Sequence, residues 1–287
     1  METLTHLRWR RHRCGESESL RVDLQLTGKR AVVTGASRGI GNAVARALLA
    51  EGADVALVAR DRAALEEAAR QLSRSGCRVL SVPGDTTDDA QVRGIAQRTA
   101  IEWGGIDILV NAAAQPRRQL SSAKALANLS DDDVRAELET KVLGYLRCAR
   151  AVAPYMVAQG WGRIINVAGL SARQTGSITG SIRNVAVVAL TKNLADELGP
   201  AGINVNAVHP GLTVTERLPS VLAQQAESLQ ISETEAMARL ASDVSVGRLI
   251  TAAEVADVVT FLASPRSVAV NGDVLTVGGG ARRAIHY

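Results

Sequence analysis

The sequence predicts an α/β fold built on a parallel sheet. Three observations predict it. Short, β-branched runs that are apolar throughout recur along the chain, as expected of strands buried on both faces. Segments of helical length separate them. The resulting strand–helix–strand rhythm implies right-handed crossovers between parallel neighbours.

Residues 1–22 precede this rhythm. They show no stable periodicity and read as a disordered basic extension, with five arginines against three glutamates up to Arg21. Those glutamates weaken a transit-peptide reading, and the segment lacks the apolar core of a secretory signal. A start near Val22 is the alternative. Residues 23–287 read as one domain. Its predicted strands are "RAVVTG" (30–35), "DVALVAR" (54–60), "RVLSVPGD" (78–85), "IDILVNAA" (106–113), "GRIINVAG" (162–169), "GINVNAVHPG" (202–211) and "NGDVLTVGGG" (271–280). A Gln-, Glu- and Ser-rich helical stretch from about 219 to 245 precedes the last strand.

The composition narrows the function. The chain is 46% hydrophobic but only 2% aromatic, which supports a packed core and argues against stacking platforms for single-stranded nucleic acid. The net charge is +4 over 287 residues, too little for a DNA-binding patch. Three unpatterned cysteines, Cys14, Cys77 and Cys148, suit a reducing compartment without a disulfide framework. No apolar run reaches the ~20 residues of a membrane span. The expectation is therefore a cytoplasmic protein acting on a small molecule, without nucleic-acid or membrane partners. The His, Cys and carboxylate spacings suggest no metal site.

The first strand runs into "TGASRGIG" (34–41), which opens a helix. Gly35 suits a tight turn, Gly39 close approach to a phosphate, and Gly41 packing of helix against strand. The N–H groups and dipole of the following helix favour a pyrophosphate. Where an acid would grip the ribose of NAD, the second strand ends in Ala59 and Arg60, and Arg38 lies in the glycine-rich turn. Two guanidiniums favour a 2′-phosphate, so NADP(H) is preferred over NAD(H). Asp85 follows the third strand, either as an acceptor for the adenine amino group or as an N-cap.

"TGASRGIG", "NAAA" (111–114), "HPGLTVT" (209–215), "GRLITAAEVADVVTFLAS" (247–264) and "NGDVLTVGGG" together resemble the short-chain dehydrogenase/reductase family, in order and spacing, from about Leu24 to Gly280. The resemblance implies a Rossmann-type, doubly wound parallel sheet of seven strands in a single domain, with a nicotinamide cofactor. It implies a homodimer or homotetramer built on helices near 133–158 and 180–198. It places Gly35, Ser37, Arg38, Gly39, Ile40 and Gly41 at the pyrophosphate side, and Asp85 and Thr86 by the adenine. Asn111, Ala112 and Ala113 would line the cofactor after the fourth strand. Pro210, Gly211, Thr213 and Thr215 would lie along the nicotinamide, followed by a flexible lid.

The family reduces a carbonyl with Asn, Ser, Tyr and Lys side chains. In the register set by "LTKNLADELG" and "INVNAVHPG", those positions hold Lys141, Gly169, Gly180 and Asn184. The 169–180 loop is about two residues short, which could bring Ser171 closer. Asn184 can bond a ribose hydroxyl through its amide but carries no charge. Loss of general-acid help typically removes ~10²–10⁴-fold of rate.

Three replacement candidates remain. Lys141 lies on an apolar helical stripe with Val134, Leu138, Tyr145, Ala149 and Val152, where an ammonium is costly unless paired. Lys141 and Tyr145 are accordingly candidate proton donors, against a snorkelling lysine and a core tyrosine. His209 stands at the carboxyl end of a strand, where ligands bind in such sheets. Ser171, Ser177 and Ser181 are loop hydroxyls that could touch substrate. Two functions follow. One is an NADP(H)-dependent oxidoreductase for a small carbonyl, hydroxyl or enone substrate; an enone would ask least of the missing tyrosine. The other is a catalytically silent dinucleotide-binding homologue, acting as a sensor, partner subunit or non-redox lyase.

Overall fold

The computed structural model describes residues 22–73, 76–114 and 126–282. Residues 1–21 of the N-terminal extension, Cys14 among them, lie outside the described residues. The seven predicted strands form one parallel sheet: β1 (Arg30–Thr34), β2 (Asp54–Ala59), β3 (Val79–Pro83), β4 (Ile108–Asn111), β5 (Gly162–Val167), β6 (Ile203–Pro210) and, after the short pair below, β9 (Val274–Val277). Their order across the sheet is β3-β2-β1-β4-β5-β6-β9, with every pairing parallel. The order reverses between β1 and β4, which leaves a crevice at the strands' carboxyl ends, the usual ligand position in such sheets.

Helices α1 (Gly39–Ala50), α2 (Arg62–Leu72) and α9 (Ala252–Ala263) pack on one face of the sheet, around Val44, Leu48, Leu65, Val255 and Leu262. Helices α3 (Asp89–Trp103), α5 (Gly144–Gln159) and α6 (Ile178–Leu198) cover the other, around Val92, Ile95, Val152, Met156 and Ala195. Because both faces are covered, β4, β5 and β6 are buried along their whole length. That explains why these strands show no polar alternation.

Local chemistry sets the helix starts. Asp61, Asp88, Ser177 and Thr251 accept N–H bonds at the heads of α2, α3, α6 and α9, satisfying donors that have no partner within the helix. The cap of α3 is thus Asp88. Asp85 instead accepts from the backbone and hydroxyl of Thr87, both at 2.9 Å. Its alternative reading as an N-cap is corrected, and its side chain stays at the crevice.

Three features were not anticipated. Helix α4 (Asp131–Leu138) passes into α5 through a π turn at Glu139–Leu143. Such insertions often accompany functional positions. The stretch at 219–245 is two helices, α7 (Leu218–Leu229) and α8 (Glu233–Ser242), with an apolar cluster of their own at Leu218, Leu222, Ala226, Ala236 and Leu249. A short parallel pair, β7 (Thr213–Val214) and β8 (Ile250–Thr251), ties this segment to the body. Among the described residues, no helix is long and apolar enough to cross a membrane.

Candidate active site

A cleft of about 1960 Å³ opens at the carboxyl edge of the sheet, between the strand ends and α7–α8. Its first end is built from backbone. Gly35 has φ +67°, and a Cβ there would stand 2.7 Å from Ala112 O; at Gly41 it would stand 2.3 Å from Gly35 O. No side chain fits either place, so the turn and helix α1 lie directly against each other and against the loop after β4. Thr34 Oγ1 fixes that loop by accepting from the N–H groups of Ala112 and Ala113, at 3.1 and 3.2 Å. Gly39 differs. Its φ is +60°, but the nearest atom to an added Cβ is 3.8 Å away, so this glycine supplies a backbone turn and an open approach.

The N-cap of α1, Arg38, provides no side-chain cap. The N–H of Gly39 donates instead to Glu216, at 3.2 and 3.4 Å from its two carboxylate oxygens. Glu216 lies just before α7 and had no signal in the sequence pattern. Its oxygens stand where a phosphate oxygen would: anionic, at a helix N-terminus.

Arg60 directly follows β2 and faces Asp85 at 4.0 Å. Its side chain is 54% exposed, and Arg38, also exposed, lines the same cleft. Ser37, Ile40, Thr86 and Ala112 line the cleft near them, and Pro210, Gly211, Thr213 and Thr215 line it further along. Asn111 is corrected: its side chain is fully buried beneath the cleft and donates to Asn166 Oδ1 at 3.0 Å. It holds β4 to β5 rather than reaching a ligand.

The other end is built from side chains on the turn after β5, the first turns of α6 and the π turn. Asn184 is buried on α6; its Nδ2 donates to Ser171 Oγ at 2.7 Å and to Gly180 O at 2.9 Å. Ser171 Oγ donates to Gly180 O at 3.2 Å. A Cβ on Gly180 would meet Ser177 Oγ at 2.8 Å and Ser171 Oγ at 3.3 Å. Serine hydroxyls therefore occupy the space into which a side chain at 180 would begin to grow. Ser177 caps α6, and Ser181 Oγ donates to Gln174 O at 3.1 Å. Of the three loop serines, Ser171 is the one joined to Asn184.

Lys141 lines this end, 5% exposed, and donates to Ala168 O at 2.7 Å. Tyr145 and His209 do not line the cleft. Tyr145 is 1% exposed and its hydroxyl donates to Val167 O at 2.9 Å; burial holds the phenol well above its ordinary pKa. It is a core tyrosine, not a proton donor to the cleft. His209 is equally buried, and its Nδ1 accepts from the N–H of Gly169 at 3.2 Å. The carbonyl and N–H groups at the end of β5 take up both side chains, and sequence spacing could not foresee that.

The residues present fit a dinucleotide. The glycine cradle excludes a Cβ, a carboxylate marks the anion position, and at the opposite end Asn184 Oδ1 is buried without a donor among the described residues. A ribose hydroxyl in reach would satisfy that orphaned acceptor.

Comparison with known proteins agrees with this geometry. The family described as enoyl-(acyl carrier protein) reductase matches residues 35–282. The short-chain reductase protein NovJ of Streptomyces niveus is 34% identical over 251 residues, covering 87% of this chain and 92% of that protein. The 3-oxoacyl-[acyl-carrier-protein] reductase FabG of Salmonella typhimurium is 31% identical over 267 residues, covering 90% and 98%. The structure of L-sorbose reductase from Gluconobacter frateurii, complexed with NADPH and L-sorbose, superposes with a TM-score of 0.84 at 30% identity, covering 92% of this chain and 100% of that one. The chain belongs to the short-chain dehydrogenase/reductase family.

Proposed function

We propose that this chain is an NADP(H)-dependent oxidoreductase that moves a hydride to or from a small carbonyl, hydroxyl or enone substrate. One observation carries the reading. A single cleft joins a glycine cradle flanked by Arg38 and Arg60 to a second end where Ser171 and Asn184 present polar atoms. NADPH, when bound, supplies the hydride. Arg38 and Arg60 would hold its 2′-phosphate, the head of α1 its pyrophosphate, with Glu216 displaced, and Asn184 Oδ1 a ribose hydroxyl. The NADPH held by the sorbose reductase supports the same choice of cofactor.

Hydride arriving at a substrate leaves charge on oxygen. Asn184 holds the Ser171 oxygen, and the serine proton can turn from Gly180 O to the substrate oxygen. A neutral hydroxyl stabilises that charge more readily than it protonates it. Substrates that spread the charge by conjugation fit best, so an enone is preferred within this class.

The test is NADPH consumption, followed by absorbance, across a panel of small ketones, aldehydes and enones. Oxidation of NADPH with at least one member, fastest among enones, is expected. Saturable NADPH binding with no consumption across the panel would favour the catalytically silent homologue. The assembly proposed is a homodimer or homotetramer on the faces of α5 and α6. Val157 on α5, Ile178, Ile182 and Val185 on α6, and Leu143 in the adjoining π turn expose apolar surface.

A further inference from the structure

Lys141 and His209 reach the two ends of one peptide group. Lys141 Nζ donates to the carbonyl of Ala168 at 2.7 Å, and the N–H of Gly169 donates to His209 Nδ1 at 3.2 Å. That carbonyl and that N–H belong to the single unit joining Ala168 to Gly169. We propose that Lys141 and His209 clamp this peptide and are positioning residues for Ser171 rather than proton donors. The role of Ser171 rests on the function proposed above; the clamp itself does not.

Three elements converge on the peptide. The π turn carries Lys141, β5 ends at Val167 just before the peptide, and β6 carries His209. A peptide group is planar, so fixing its oxygen and its hydrogen fixes its rotation. An ammonium on the oxygen polarises the group and strengthens the N–H as a donor. His209 serves as acceptor through Nδ1. Both side chains are nearly fully buried, so the clamp sits in surroundings where such bonds are strong.

The clamp has a short lever to the site. From Gly169 the chain enters the tight turn Leu170–Ala172, closed by Ala172 N–H to Gly169 O at 3.1 Å and by Arg173 N–H to Leu170 O at 2.8 Å. Ser171 lies at its centre. Space on the other side is tight, since a Cβ on Gly169 would stand 3.3 Å from Asn184 Nδ2. Rotating the peptide therefore moves the turn against Asn184 and shifts the Ser171 hydroxyl. A misplacement of ~1 Å can cost ~10²-fold in rate.

The sequence makes the test sharp. Ala-Gly occurs at 168–169 and 201–202 only, so full-length protein labelled with carbonyl-¹³C alanine and ¹⁵N glycine gives two Ala–Gly correlations, with Gly202 as internal control. Lys141→Met is expected to move the Gly169 amide proton and to speed its hydrogen exchange ~10-fold, the loss of one charged hydrogen bond, with Gly202 unchanged. His209→Ala should act likewise, and Lys141→Arg should retain the wild-type signal. A Gly169 amide that ignores Lys141→Met overturns the clamp. So does a pH–rate profile of NADPH oxidation that loses a limb in Lys141→Met, since that marks a proton donor. Should Lys141→Met fail to fold, nitrogen–nitrogen coupling across the Gly169–His209 hydrogen bond in unaltered protein decides: its presence supports the clamp and its absence overturns it. None of the NMR readouts needs a substrate, so absence of turnover would strike the proposed function and leave the clamp standing.

Discussion

The two ends of the cleft use glycine for different reasons. At the cofactor end, backbone forbids anything larger: a Cβ on Gly41 or Gly35 would press into carbonyl oxygens at 2.3 and 2.7 Å. At the reaction end, Gly169 has extended backbone, with φ 173°, and its nearest neighbour is the amide of Asn184. Gly180 is hemmed in by serine hydroxyls, not by backbone. The first end is fixed by backbone sterics and reads the same in any chain that adopts this turn. The second is set by side chains, which can be exchanged for others without refolding the sheet. The geometry of the dinucleotide cradle is thus independent of which side chains stand at the reaction end.

Breaking each end should give a different kinetic signature. The largest effect is expected from Ser171→Ala. Losing one preorganised donor to a developing oxyanion costs ~10²–10³ in kcat, with the Kd for NADPH unchanged; steady-state kinetics beside a binding titration separates the two. Gly41→Ala should do the reverse. Forcing a methyl against a carbonyl costs ~1–3 kcal/mol or more, so NADPH affinity should fall ~10- to 100-fold, measured by calorimetry. Arg60→Ala sharpens the first end further. It should weaken NADPH ~10-fold, the worth of a charged hydrogen bond, and leave NADH nearly unaffected; equal losses for both would remove Arg60 from 2′-phosphate recognition. The smallest effect has the opposite sign. Glu216→Gln removes a carboxylate that competes with pyrophosphate at the head of α1, and NADPH should bind ~2- to 5-fold more tightly, in line with ~0.3–1 kcal/mol for a charge at a helix end.

What could be read from the chain follows the same division. The strands were legible because burial on both faces leaves long apolar runs, and the glycine turn was legible because its spacing follows from backbone geometry. Lys141 was recognised as a charge within an apolar stripe, but the π turn that carries it leaves no pattern in the sequence. Tyr145 and His209 were misassigned because only the assembled sheet brings the Ala168–Gly169 peptide and the Val167 carbonyl within their reach. Ser171 was foreshadowed by the short loop, whereas its bond to Asn184 depends on where α6 begins. Glu216 was missed because its partner, Gly39, is 177 residues away. Asp85 and Asp88 differ by three positions, and the N-cap falls on the later one.

The central claim is that the cradle is a working NADPH site. Titration of the purified protein with NADPH and NADH in parallel, followed by nicotinamide fluorescence, tests it most directly. Saturable binding of both, tighter for NADPH, is the predicted result. Binding of neither would contradict the account, because a cradle shaped by glycine and marked by an anion would then hold no dinucleotide.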